Sequence, residues 1–383
     1  MASLFTGIGG IELGLHRAGH TTHLMCEFDD SARAVLASRF PNVTLRQDVR
    51  RLRRLPDVDL VAAGFPCQDL SQAGRKAGIS GTQSSLVQHL FRLIETAESR
   101  PEWLLIENVS YMLRLDNGNG MAYLVRRLEE LGYRWAYRVV DARSFGVPQR
   151  RKRVIMLAAR TQDPRAVLFA EDAPPPADRD AIGPVDPSTG YGFYWTEGFR
   201  GLGWTRDGVP TVKGGSRLGI PSPPAIWVPS TGAIGTPSLE DTEHLQGFEP
   251  GWTRAAETLE QPRKGARWHL VGNAVCVPVA TWIGRRLVDP GVPVVDGKRT
   301  TARRWPTAAW GEKGEVFSMP VSDHPVDMPG RPLLDYLNDP LRPLSFRATR
   351  GFHRRAVAGP LNFPPGFLAA VARHLEGMEA LAA

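Results

Sequence analysis

Ala2-Ser3-Leu4-Phe5-Thr6-Gly7-Ile8-Gly9-Gly10-Ile11-Glu12-Leu13-Gly14-Leu15-His16-Arg17-Ala18-Gly19 is the stretch whose reading decides the fold. Ala2 to Phe5 is a short apolar run that predicts a strand, and the glycines behind it predict a turn. Ile11, Leu15 and Ala18 then recur at helical spacing until Gly19 stops the helix. A strand that ends in a glycine turn and opens a helix is a nucleotide-cofactor site in α/β sheets. The dinucleotide fingerprint carries a third glycine where this chain has Glu12. A carboxylate in that first helical turn repels a pyrophosphate, which needs the same positive helix end, so the turn suits a nucleoside-like cofactor without bridging phosphates. Glu27, 17 residues beyond Gly10, is placed to accept hydrogen bonds from ribose hydroxyls. A plain tight turn with a solvated strand end would read the same way, so the turn alone does not decide.

Outward from this stretch, strands and helices alternate. Strands are predicted at 23–27, 58–63 and 103–106, helices through 32–36 and from about 85 to 98, and a late antiparallel hairpin from 135–141 and 153–159. This pattern predicts a doubly wound, Rossmann-like α/β domain over residues 1–160. From 172 to 237 the chain is rich in Pro, Gly, Ser and Trp yet carries Tyr191, Phe193, Tyr194, Trp195, Trp204 and Trp227, too many aromatics for a flexible linker. A small irregular domain is expected at 161–235, a return segment completing the first domain at 236–290, and a C-terminal extension of unknown role at 291–383. No internal repeat is visible.

The 383 residues carry 42% hydrophobic and 23% charged side chains and a net charge of +7. This is an ordinary soluble composition, compatible with a polyanionic partner. No apolar run approaches the ~20 residues of a membrane span. The N-terminus enters the strand pattern at once, so no signal peptide is expected. The cysteines, Cys26, Cys67 and Cys276, form no CxxC pair, which points to a reducing cytoplasm.

Three elements carry chemistry. Gly64-Phe65-Pro66-Cys67-Gln68 follows the apolar strand Leu60–Ala63, which places Cys67 at the ligand edge of a parallel sheet, as a nucleophile if its thiolate is stabilised. Cys26 and Cys276 read as small buried hydrophobes. Glu107-Asn108-Val109 puts a carboxylate at the same edge. A base attacked at C6 must accept negative charge, and an acid that donates to ring N3 stabilises that state. A water-excluding site would let Glu107 hold the proton. Gln149-Arg150-Arg151-Lys152-Arg153 is a basic turn whose guanidinium groups can fork onto a base carbonyl or a phosphate.

The ordered set of motifs resembles the cytosine-C5 DNA methyltransferases. It comprises Phe5–Gly10, Glu27-Phe28, Asp48-Val49, Gly64–Gln68, Glu107–Val109, Gln149–Arg153, Leu245-Gln246-Gly247-Phe248 and Gly272-Asn273-Ala274-Val275. The resemblance frames residues 2 to about 288. It implies that Cys67 attacks C6 of a flipped cytosine and that Glu107 bonds N3 and the exocyclic amine. Arg151 and Arg153 would contact the base carbonyl and orient the catalytic loop. S-adenosylmethionine would be the cofactor, with no metal, held by Phe5, Gly7, Ile8, Gly10, Glu27, Phe28, Asp48, Val49, Pro66, Leu86, Asn273 and Val275. A glycine-rich loop, 68–85, would close over double-stranded DNA with Gln68, Ser71 and Arg75 as contacts. Lys213, Gly214, Gly215 and Ser216 would read the sequence from the recognition domain. A cytoplasmic monomer is implied, with a cognate restriction endonuclease as a candidate partner.

Two places depart from the family pattern, which has arginines where this chain has Gly235 or Thr236, and His244. The departure puts the support of the recognition domain in doubt. Arg342, Arg347, Arg350, Arg354 and Arg355, interleaved with Phe346, Phe352 and His353, would either grip phosphates or form a solvated face. An RNA cytosine methyltransferase and a non-catalytic DNA-binding regulator are the alternative readings. Retention of both Cys67 and Glu107 speaks against the regulator.

Overall fold

The computed structural model describes residues 1–66, 86–175, 180–215, 221–300 and 304–381. The predicted residues Cys67, Gln68, Ser71, Arg75 and Ser216 lie outside them. The chain divides into two compact units, each built from three pieces of sequence.

The first unit comprises residues 1–144, 152–175 and 274–327. Its sheet begins with five parallel strands: β1 (Ala2–Leu4), β2 (Leu24–Cys26), β3 (Thr44–Arg46), β4 (Leu60–Ala63) and the start of β5 (Trp103–Val109). Helices α1 (Gly10–Arg17), α2 (Asp30–Arg39) and α3 (Leu86–Glu95) alternate with them, and α4 (Asn119–Glu130) follows β5. The fully buried runs Leu60–Ala63 and Leu104–Ile106 are what a sheet covered on both faces requires. Strand order runs β3-β2-β1-β4-β5 and continues antiparallel through β7 (Lys152–Ala159) and β6 (Arg134–Asp141). The chain leaves β1 for β2 on one side, and β4 pairs on the other, so β1/β4 is the switch point where open α/β sheets bind ligands. The glycine turn follows β1 and Gly64-Phe65-Pro66 follows β4 at that edge.

Helix Val277–Val288 locks onto α1 through glycines. A Cβ on Gly14 would lie 2.4 Å from Ala280 Cβ, and one on Gly284 would lie 2.7 Å from Ala18 Cβ. The sheet then extends past β6 by the hairpin Ala308–Glu312/Glu315–Ser318. Residues expected to lie in a C-terminal extension therefore complete the first unit's sheet. The helix at 119–130 was not expected. Among the described residues no helix is long and apolar enough to cross a membrane.

The second unit comprises residues 145–151, 176–273 and 328–383. Strands Tyr191–Phe193, Thr205–Arg206, Ala225–Val228, Ala233–Thr236 and Arg342–Pro343 form a small antiparallel sheet. Its core joins Tyr191, Phe193, Trp204 and Trp227 to Phe352 and Phe367 of two C-terminal helices, Phe346–Ala358 and Phe367–Ala380. The aromatics at 191–227 are a half-core that the last 40 residues fill. Residues 328–383 are thus an integral part of this unit, and its sequence extent differs from the expected 161–235.

Candidate active site

In the first unit the glycine turn is a strained and well-fastened structure. Phe5 adopts φ 59 and Gly7 φ 60, and a positive φ at an aromatic residue persists only where its surroundings hold it. Thr6 Oγ1 sits 3.2 Å from the Cys26 amide that donates to it. Glu27 does the rest: Oε2 accepts the Gly7 N–H and Oε1 the Asp29 N–H, both at 2.8 Å. Burial raises the Glu27 carboxyl, and these two amides pull it back. The residue expected to hold ribose therefore also staples the turn to the end of β2.

Glu12 does not face the turn's ligand side. It is fully buried, and burial raises its pKa to about 7 against the opposing pull of the Ser3 hydroxyl. Repulsion by Glu12 is therefore not what makes the turn unsuitable for a pyrophosphate. The adjacent acceptor Glu27 is the better ground, because a ribose diol can donate to it and a phosphate cannot.

Phe28 is 62% exposed, an unusual position for an aromatic ring. Asp48 lies nearby, both lining a cleft at the outer edge of the sheet. Arg50 occupies this place in the structure. Its guanidinium lies 5.3 Å from the Phe28 ring centre, its Nε donates to both Asp48 oxygens at 2.9 and 3.0 Å, and it holds the Asp48 carboxyl below the usual range. Ile8 and Val49 are buried beneath, and Arg92 on α3 donates to the Val49 and Leu52 carbonyls at 3.3 and 2.8 Å. The sequence carried no sign of Arg50, because only the fold brings it over a ring 22 residues away.

Glu107 lies within β5, beyond the expected strand end at Ile106. Its register partner is Ile155, and Val109 is opposite Arg153, so Glu107 and Arg153 are diagonal neighbours on one sheet face. Arg153 Nε lies 3.1 Å from Glu107 Oε1, with side chains only 16% and 11% exposed. The next residue points the other way: Asn108 Nδ2 donates to the Phe65 carbonyl at 2.8 Å. A Cβ added to Gly64 would sit 3.9 Å from Glu107 Oε2 and 3.7 Å from the Phe5 carbonyl. The acid, the turn after β1 and the turn that leads into Cys67 therefore meet at the switch point. Cys26 and Cys276 are buried, and burial pushes the Cys26 thiol up to about 12, so neither is poised as a nucleophile.

In the second unit the remaining motifs tie one another together. Gln149 Oε1 accepts the Val212 N–H at 3.1 Å and Nε2 donates to the Leu245 carbonyl at 2.8 Å. Arg151, 1% exposed, donates to the Val212 and Gly272 carbonyls at 3.1 and 3.0 Å. These bonds make Arg151 a clamp on the segments carrying Lys213 and Asn273. Gly272 abuts Gly214 so closely that a Cβ would fall 2.0 Å from its backbone nitrogen. Asn273 is exposed and bonded to His269 at 3.0 Å. Lys213 is not a free cation either: Nζ is 2.8 Å from Glu197 and 3.6 Å from the Tyr194 ring centre. Both positions that depart from the family pattern are packed against C-terminal residues of this unit. His244 stacks on Tyr336 at 4.1 Å, and Gly235 pairs with Pro343 in a strand where a Cβ would meet the Arg342 carbonyl at 2.5 Å.

Residues 1–183 match the model of the C-5 cytosine-specific DNA methylases. The Type II methyltransferase M2.BsuMI of Bacillus subtilis is 52% identical over 93% of both chains. The chain belongs to the C-5 cytosine-specific DNA methylases. M.PspPI of a Psychrobacter strain is 29% identical over 75% of this chain and 78% of its own. A crystal structure of the S. pombe Dnmt2 methyltransferase shares the fold of this methylase, with TM-score 0.54 and 15% identity over 75% of this chain and 98% of that one.

Proposed function

We propose that this DNA cytosine-C5 methyltransferase uses S-adenosylmethionine and a covalent Cys67 intermediate on a flipped-out cytosine. The observation that carries the reading is the Glu107–Arg153 pair at the carboxyl edge of β5, tethered through Asn108 to the turn that precedes Cys67.

The residues at the switch point suit a nucleoside cofactor: a diol acceptor in Glu27, an exposed ring in Phe28 and, once Arg50 moves aside, an amino-group acceptor in Asp48. When bound, S-adenosylmethionine supplies a methyl group on a positively charged sulfur. Cys67 adds its thiolate to C6, which turns C5 into a nucleophile. Glu107, holding its proton, donates to N3 and accepts from the exocyclic amine, and Arg153 holds that carboxyl group in place and faces the base carbonyl. After transfer a base removes the C5 proton, and the electron pair expels the Cys67 thiolate. The target carbon is inaccessible in a duplex, so the cytosine must leave the stack. Arg151, Gln149 and Gly272 hold Lys213, Gly214 and Gly215, the recognition loop. The relatives' type supports a role in a restriction–modification system, with a cognate endonuclease as partner.

A duplex bearing 5-fluorocytosine at the target tests the reading, because fluorine cannot leave as the proton does. The DNA should stay bonded to the peptide containing Cys67 through denaturation, and Cys67→Ala should form no adduct. Methylation of RNA but not of DNA would overturn the substrate assignment. Sequencing 5-methylcytosine in host DNA after expression identifies the recognised motif.

A further inference from the structure

Between Asp339 and Glu376 the chain has no acidic residue and carries six arginines. Helix Phe346–Ala358 sorts them. Thr349, Phe352 and Ala356 face the core, and Arg347, Arg350 and Arg354 repeat the same three-and-four spacing on the opposite, exposed face. Among the described residues none of these three, nor the exposed Arg342 just before the helix, forms an ion pair. Arg350 rests on the Phe346 ring at 5.1 Å, which orders its stem and leaves its charge in solvent. Arg347 stands in the first turn, where the helix dipole disfavours a cation and where no acidic residue is present. The placement does not serve the helix.

It does adjoin the recognition loop. Arg355, on the flank of the same helix, donates to the Trp195 and Glu197 carbonyls at 2.8 Å, and the Glu197 carboxylate holds Lys213 at 2.8 Å. The helix, the segment 195–197 and the loop of Lys213 are thus one connected layer.

We propose that the Arg347–Arg350–Arg354 face binds the sugar–phosphate backbone of the substrate duplex beside the recognised sequence. The stripe covers seven residues, on the order of 10 Å at 1.5 Å rise, which spans about three phosphates of one strand at 3.4 Å of axis each. Unpaired arginines of one sign suit such a run and carry no base readout. The contact would add affinity, and specificity would stay with the loop.

The test uses the full chain and a duplex carrying the methylated motif with about one helical turn on each side. Binding is followed by fluorescence anisotropy from low to moderate salt. The triple variant Arg347→Gln/Arg350→Gln/Arg354→Gln should bind about 10- to 100-fold more weakly. Its plot of log affinity against log salt should be shallower by roughly two to three, near 0.9 per lost phosphate contact. Unfolding midpoint and affinity for S-adenosylhomocysteine should not change, and the triple lysine variant should restore the slope. A slope equal to the wild type's would overturn the proposal, as would an equal loss on a duplex trimmed to the motif itself, which would place the effect in the recognition loop.

Discussion

Asn108 Nδ2 donates to the Phe65 carbonyl across 2.8 Å, so the strand that carries Glu107 grips the turn that precedes Cys67. Glu107 and Asn108 are adjacent on a strand and point to opposite faces, one toward Arg153 and one toward the Phe65 turn. Asn108→Ala leaves a buried carbonyl without its donor, at a cost of about 1–3 kcal/mol. The expected result is a fall in kcat of roughly 10- to 100-fold from misplacement of the nucleophile, with S-adenosylhomocysteine affinity unchanged by calorimetry. Unchanged kcat would show that the turn holds its place without the tether.

Glu107→Gln keeps shape and removes the charge that Arg153 holds. Single-turnover methylation should slow by about 10²- to 10⁴-fold, the range of a lost acid–base group. Arg153→Lys keeps a charge but not the fork, so it should retain more activity than Arg153→Ala. Equal rates in the two variants would remove the orienting role of the guanidinium.

Arg50 covers Phe28 and engages both oxygens of Asp48, the two groups assigned to the cofactor's adenine. Arg50→Ala should therefore tighten S-adenosylhomocysteine binding, by about two- to fivefold given the weakness of exposed pairs. Weaker binding in the titration would mean that Arg50 is part of the bound pocket.

The buried Glu12 makes stability depend on pH. Its folded-state value, about 7, lies above the unperturbed 4.5, so the fold keeps a proton that the unfolded chain releases. Its contribution to stability is greatest below pH 4.5 and is lost as pH rises through 7. Glu12→Gln stays neutral throughout. Its stability relative to the wild type in urea unfolding should rise by about 3 kcal/mol between acidic and mildly alkaline pH, at 1.36 kcal/mol per unit. A difference that stays flat with pH would mean that Glu12 ionises freely.

Local signals were legible where chemistry and backbone geometry are written into consecutive residues. The glycine turn, the helix stop at Gly19 and the β6/β7 hairpin all depend on short-range sterics and periodicity. The C-terminal third was read as an appendage because its half-cores are incomplete alone. Phe352 reads as one aromatic of a basic stretch until Phe193 and the Phe367 helix cover it. Arg151 and Lys213 looked like free cations because sequence shows a charge but not the carbonyl or carboxylate that takes it up.

From the sequence alone came the family, through its ordered motifs, and the parallel sheet at whose edge Glu107 stands, because strand and helix periodicity is written in consecutive residues. Tertiary structure alone decided which charges are occupied and which are left over. Arg153 meets Glu107 through strand register, Arg50 meets Asp48 and Phe28 over the sheet edge, and Arg347, Arg350 and Arg354 form no ion pair among the described residues. Coulombic partnership depends on distance in space, and that distance is set by packing between segments far apart in the chain.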